Sequence, residues 1–356
     1  MAKRSGALQW SKVDVGGTSP RGRSDGSAIL LEDRLWLFGG SVGPDSIDDF
    51  DVLDLAAGRF EQVKAKGTPC RRHGHSAFAW RGQMGILFGN QDGMALEGEE
   101  GARLHLFDPR ARTFSWVAPG GTPPEPRYRA GTLLHGDVLF LAAGNADDFY
   151  NRDDLAVLDL VGMRWLAVEV GGEIEHSNAP GLAVHQNHLI RFLGAGAYQG
   201  WPAHAYALDL AGLDVAAGRL TGTWRPIPIV PPPDAKAFEG LEGGAWTRSV
   251  APAIRTEGGL LVAGGWQMGA SVSHALALDP VVTFSFPDLS RADASVVAEV
   301  TGVSGEGPGR FALAAVAGDD SRAYIFGGYS APIDETVEEP DDLLEPEDLW
   351  LLAARP

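Results

Sequence analysis

Runs of apolar residues that end in glycine recur along this chain of 356 residues, spaced roughly fifty to seventy residues apart. They are Leu35–Gly40, Ile86–Asn90 (through Gly89), Leu139–Gly144, Ile190–Gly194, Leu260–Gly265 and Tyr324–Gly328. Unbroken apolar runs of this length suit strands buried on both faces. After each run comes a shorter segment ending in Leu or Phe, Asp, then Leu or Pro: Leu53-Asp54-Leu55, Phe107-Asp108-Pro109, Leu158-Asp159-Leu160, Leu208-Asp209-Leu210 and Leu278-Asp279-Pro280. A degenerate copy is Leu349-Trp350-Leu351-Leu352. Segments such as Leu155-Ala156-Val157-Leu158 read as the strands that these tripeptides close.

Two further elements complete the unit. Upstream of the glycine runs lies a strand usually opened by arginine, at Arg23, Arg72, Arg127, Arg248 and Arg310. Downstream, an aromatic marks a fourth strand at Phe60, Trp116, Trp165 and Trp224. Four strands per repeat is the signature of a propeller blade. The fourth repeat lacks its opening arginine, having Ala179-Pro180-Gly181, and the fifth has no clear Trp in its last strand. The last repeat ends at its third strand, and the missing fourth is expected at the other end, in Leu8-Gln9-Trp10-Ser11-Lys12-Val13.

The order Arg72-His73-Gly74-His75-Ser76, then apolar-Gly-Gly, an acidic strand end and an aromatic resembles the kelch repeat, and the resemblance runs over nearly the whole chain. It implies an all-β fold: a six-bladed kelch-type β-propeller of four-stranded blades, within the superfamily that includes galactose oxidase, standing alone as in bacterial propellers. The chain then reads as one domain, 1–356. Residues 1–22 carry the closing strand of the last blade, and the blades span about 23–69, 70–126, 127–178, 179–247, 248–309 and 310–356.

Composition narrows the partners. The net charge of −18 opposes binding to a phosphate backbone, so no nucleic acid is expected. Neither a signal-peptide pattern nor an apolar run long enough to span a bilayer stands in the sequence, so no membrane partner is expected. A single cysteine, Cys70, forms no internal disulfide, and the expected location is cytoplasmic. Acidic residues gather in 334–348, which reads either as a solvated loop or as a negative rim for a basic partner.

Loops leaving the glycine strands and loops entering each blade emerge on one face, around the central channel. The resemblance implies that ligands bind there. The candidate binding residues are Ser24, Asp25, His73, Asn90, Tyr128, Arg129, Asn145, Tyr198, Trp201, Ser249, Trp266, Phe311 and Tyr329, with Ser41 beside them. Aromatic and hydrogen-bonding side chains suit a protein, a peptide or a small polar ligand. No cofactor is predicted; a transition metal is the alternative, with His73, His176, His204 and His274 as candidates and no metal-ligand spacing to support them. His75 is expected to be structural. Glu97 to His105 approaches the iron element of thioglucoside specifier proteins, but Gly101 stands where that element has Asp.

Two functions follow. The first is a ligand- or protein-binding propeller using the loop face. The second is a stand-alone small-molecule enzyme (a lyase, isomerase, cyclase or oxidase, with or without a metal) whose site lies at the same channel mouth; no catalytic residue is identified for it.

Overall fold

The computed structural model describes residues 8–146, 151–192, 194, 204–230, 253–256, 259–262, 266–268, 275–277, 281–301, 303–304, 315–319, 322–328 and 347–354. Its fold is all-β, built from four-stranded antiparallel meanders in the manner of a kelch-type β-propeller. The first meander runs through Ser27–Leu31, Arg34–Phe38, Phe50–Asp54 and Arg59–Gln62. The same order repeats in Ser76–Trp80, Gln83–Leu87, Leu104–Asp108 and Thr113–Val117. Later copies begin at Gly131, Gly181, Ala253 and Ala315. First strands of successive meanders pack side by side: Ser27–Leu31 lies between Ala315–Asp319 and Ser76–Trp80.

The unbroken apolar runs are explained by what each face meets. In Leu35-Trp36-Leu37-Phe38, Leu35 and Leu37 pack with Tyr324, Phe326 and Leu349 of the last meander. Trp36 and Phe38 turn the other way, onto Met84, Ile86, Phe107 and Phe114 of the second. Alternate side chains therefore enter two different cores, and neither face can be polar. The packed aromatic of the second meander is Phe114, which opposes Phe107 in the ladder. Trp116, two residues on, is 57% exposed beneath the Arg103 guanidinium.

The N-terminal strand closes the last meander as the pattern predicts. Leu8–Val13 pairs antiparallel with Leu349–Ala354, and Trp10 packs against Ala323, Ile325 and Leu352. A second device joins neighbours: the chain leaving one meander runs parallel to an outer strand of the next. Gly16–Gly17 lies beside Arg59–Phe60, Lys66 beside Thr113, and Gly120 beside Arg164. Ala167–Gly171 lies beside Arg219–Thr223, Ile229–Val230 beside Val296–Val297, and Val303–Ser304 beside Leu8–Gln9. Each overlap covers part of an edge that would otherwise offer free N–H and C=O groups.

One strand assignment is corrected. In the meander that begins at Ala253, the third strand is Val281–Ser285, which starts after Leu278-Asp279-Pro280 and pairs with Gly259–Val262. Ala275–Ala277 instead pairs with Trp266–Met268 in a separate hairpin. Val296 and Phe284, both fully buried, belong to the core of this meander.

Candidate functional site

The opening arginines build the framework of the loop face. Arg23, Arg72 and Arg127 are buried, and each repeats one pattern of hydrogen bonds. Nε donates to the carbonyl two residues earlier, at Arg21, Cys70 and Glu125. Nη1 donates to the carbonyl sixteen residues later, at Gly39, Phe88 and Ala143. The remaining charge is met by Asp51, Glu100 and Asp154 respectively. A planar five-donor group is suited to tying a strand start, a turn and a loop together.

The fourth repeat makes the same knot from a different residue. Ser177 occupies the arginine position, and Arg191, from the adjacent strand, sends its guanidinium into the place left open. Arg191 donates to the Glu175 carbonyl, the Asp153 carbonyl and Ser177 Oγ at 2.6, 3.0 and 2.8 Å. Burial lowers its pKa to about 10, which leaves it charged at neutral pH.

On this framework the predicted ligand residues fall into register. Ser24 exchanges both backbone hydrogen bonds with Ser41, His73 with Asn90, and Tyr128 with Asn145. The second glycine of each strand end permits this approach: a Cβ on Gly40 would stand 2.7 Å from the Ser24 carbonyl, and one on Gly144 would stand 2.8 Å from that of Tyr128. The first glycine is dispensable. Phe88 and Ala143 take its place with φ near +60°.

One residue further along, Asp25, Gly74, Arg129 and Ala179 all adopt positive φ and form a chain of backbone hydrogen bonds from blade to blade. Gly74 N donates to Asp25 O, Arg129 N to Gly74 O, and Ala179 N to Arg129 O, at 2.8, 2.7 and 2.7 Å. Across it, Arg129 donates from Nε and Nη2 to the two oxygens of Asp25, at 3.2 and 2.5 Å. The Asp25 side chain is 3% exposed and that of Arg129 is 30% exposed. The fork passes over Gly74, where an added Cβ would stand 3.2 Å from the Arg129 Cγ.

The other side chains of the mouth are held in place as well. Ser24 and Ser41 share a hydrogen bond between hydroxyls at 2.8 Å. His73 Nδ1 lies 2.9 Å from Ser46 Oγ, and its ring meets that of Tyr128 edge-on. Burial lowers the His73 pKa although the Asp25 charge opposes the shift. Asn90 Oδ1 accepts from Gly93 N, whereas buried Asn145 Oδ1 has no hydrogen-bond partner among the described residues.

Among the metal candidates, His176 Nδ1 lies 3.0 Å from the Asn151 carbonyl, and the His204 ring tilts against Tyr206. Among the described residues no group of three His, Cys, Asp or Glu side chains is placed to hold a metal ion. Tyr198, Trp201, Ser249, His274, Phe311 and Tyr329 lie outside the described residues, as does the 334–346 part of the acidic segment; Trp266 is described by its backbone alone.

Comparison with known proteins agrees with this repeat geometry. The profile of the KLHDC2/KLHL20/DRC7 Kelch-repeats domain matches residues 4–144, which contain Arg23, Arg72 and Arg127. Residues 4–144 are kelch repeats. The chain is 25% identical over 216 residues to acyl-CoA-binding domain-containing protein 4 of Arabidopsis thaliana, covering 57% of this chain and 31% of that protein. It is 29% identical over 283 residues to putative adagio-like protein 2 of Oryza sativa subsp. japonica, covering 77% and 43%. Against the Rab9 effector protein with kelch motifs of Gallus gallus it is 32% identical over 152 residues, covering 42% and 40%. The kelch chain thus spans less than half the length of these relatives.

Several participants escaped the sequence reading. Ser46, which fixes the His73 ring, comes from the preceding repeat. Glu100 gathers Arg72, Arg103 and His105, whereas the near-miss iron element had singled out Glu97. Burial holds His105 down to a pKa of about 4, so its contact with Glu100 at neutral pH is a hydrogen bond rather than an ion pair.

Proposed function

We propose that this chain is a six-bladed binding propeller that holds a protein or peptide on its loop face, at the mouth of the central channel. The observation that carries this reading is the threefold register of Ser24 with Ser41, His73 with Asn90, and Tyr128 with Asn145. The backbone pairs hold these side chains at equivalent repeat positions, Ser24, Ser41, Asn90 and Tyr128 buried and His73 and Asn145 partly exposed, ordered before a partner arrives, which lowers the entropy cost of binding. Kelch repeats in a protein described as a Rab9 effector are consistent with such a role.

The loops that flank the mouth are acidic. Asp45, Asp48, Asp92, Glu97, Glu99, Asp153 and Asp154 are exposed there, against Arg21, Arg71, Arg103 and Arg152, with Arg71 paired to Asp92 and Arg103 to Glu99. The partner surface is therefore expected to be basic, and association to slow as salt rises.

A photo-crosslinking residue at Asp92, on the loop face, tests the proposal against one at Arg81, in a turn at the opposite end of the strands. Adducts with a discrete partner should form from Asp92 alone and be lost with Tyr128→Ala. Equal labelling from both positions would sink the reading. So would turnover of a small molecule that the same Tyr128 variant abolishes.

A further inference from the structure

Side chains just after the arginine position of each repeat are tied to neighbouring loops. Ser24 Oγ meets Ser41 Oγ, and Asn178 donates from Nδ2 to Asn151 Oδ1. His73 is tied at one nitrogen. Its Nδ1 lies 2.9 Å from Ser46 Oγ, while Nε2 has no hydrogen-bond partner among the described residues. The ring is half-buried, with Nε2 open to solvent at the mouth.

Ser46 decides which nitrogen carries the proton. Its oxygen accepts from Asp92 N at 3.1 Å, which leaves its own hydrogen to donate. Two acceptors compete for that hydrogen: His73 Nδ1 at 2.9 Å and the Asn90 carbonyl at 3.5 Å, which already accepts from His73 N at 3.0 Å. The shorter contact wins. Nδ1 is then an acceptor, and because burial keeps the ring neutral at neutral pH, its one N–H stands on Nε2.

We infer that Ser46 is a positioning residue that holds His73 as an Nε2–H donor, and that this N–H takes a main-chain carbonyl of a basic peptide. The inference rests on the loop-face reading above and adds to it the atom that meets the peptide backbone. The loops around the mouth are acidic on balance, which draws a cationic chain and turns away a carboxylate. A carbonyl is the acceptor that such a chain brings with every residue. Ser46 reaches His73 from the hairpin of the preceding repeat, so the donor is oriented across a blade seam before the peptide arrives.

Nitrogen-15 NMR of histidine-labelled protein reads the ring directly. Wild type should show His73 protonated at Nε2 alone. Ser46→Ala should give a mixture of tautomers, and Ser46→Thr, which keeps the hydroxyl, should restore the single form. A wild-type ring protonated at Nδ1 would overturn the assignment. The ligand is probed with acetyl-Lys-Lys-Lys-amide against spermidine, which matches its charge and has no carbonyl. The peptide should shift the His73 Nε2 signal saturably, and spermidine should not. His73→Asn keeps an amide beside Ser46 but has nothing at the Nε2 position, so it should weaken peptide binding about three- to tenfold, the span of one neutral hydrogen bond. His73→Gln, whose amide reaches that position, should recover most of the loss. Equal response to both probes, or to neither, would overturn the carbonyl contact. A partner crosslinked from Asp92 whose affinity is unchanged by His73→Asn would sink the donor and spare the loop-face reading. A peptide response combined with equal labelling from Asp92 and Arg81 would keep the donor and sink that reading.

Discussion

Arg191 shows how one residue can preserve a structure while breaking its sequence pattern. It delivers to the fourth repeat the guanidinium that Arg23, Arg72 and Arg127 deliver to theirs, from a position fourteen residues from Ser177. Arg191→Met should therefore cost about 3 kcal/mol or more, because two carbonyls and a hydroxyl lose a charged donor in the interior. Adding Ser177→Arg to Arg191→Met should recover most of that loss, which chemical denaturation of the single and double variants would show. The same exchange explains why the fourth repeat lacks an opening arginine: a linear motif cannot register a side chain that reaches the same point from another strand. His75 carries a second residue-level prediction. It is partly buried, touches Ser27 Oγ at 2.7 Å and lies edge-on to Phe38, and burial pushes its pKa down to about 3. An unfolded histidine titrates near 6.5, so between those two values the unfolded chain holds a proton that the folded chain lacks. Stability is then complete above about pH 6.5 and falls as pH drops toward 3, by up to about 1.4 kcal/mol per unit from this group. His75→Gln should flatten that slope in urea titrations run from pH 7 to pH 4; an unchanged slope would place the acid sensitivity elsewhere.

At the scale of strands, the glycine runs and the tripeptides made most of the fold legible, since alternate side chains in runs such as Leu35–Phe38 fill two cores at once. Reading failed where local content and register diverged. Leu278-Asp279-Pro280 matches the tripeptide, yet Val281–Ser285 forms the third strand, because its β-branched residues and buried Phe284 suit the pleat. For the candidate site, Asp25 and Arg129 were each visible as residues at the start of a strand. Their partnership was not, for it depends on a blade two positions away and on the absence of a side chain at Gly74. The Leu8–Val13 strand carries the element-level prediction. Deleting residues 1–15 removes the ladder to Leu349–Ala354 and empties the site that Trp10 fills. The thermal midpoint should fall by about 10 °C or more, with aggregation from the bared edge, and Trp10→Ala alone should cost about 3–5 kcal/mol.

Seen whole, the molecule is fastened by contacts that run from each repeat to the next rather than by one central core. Gly40 N donates to the Arg72 carbonyl, Gly89 N to Arg127, Gly144 N to Ser177, and Gly328 N returns to Arg23, bringing the last meander back to the first. The parallel overlaps repeat this on the outside, each departing chain lying along an outer strand of its successor. These overlaps give the fold a tolerance to being cut. A protease nick in a surface turn, such as Arg81-Gly82, would divide the chain into two fragments that still share every neighbouring seam. Held like overlapped shingles, they would have no route apart short of unfolding, and the channel mouth with its Asp25–Arg129 pair would persist in the nicked molecule.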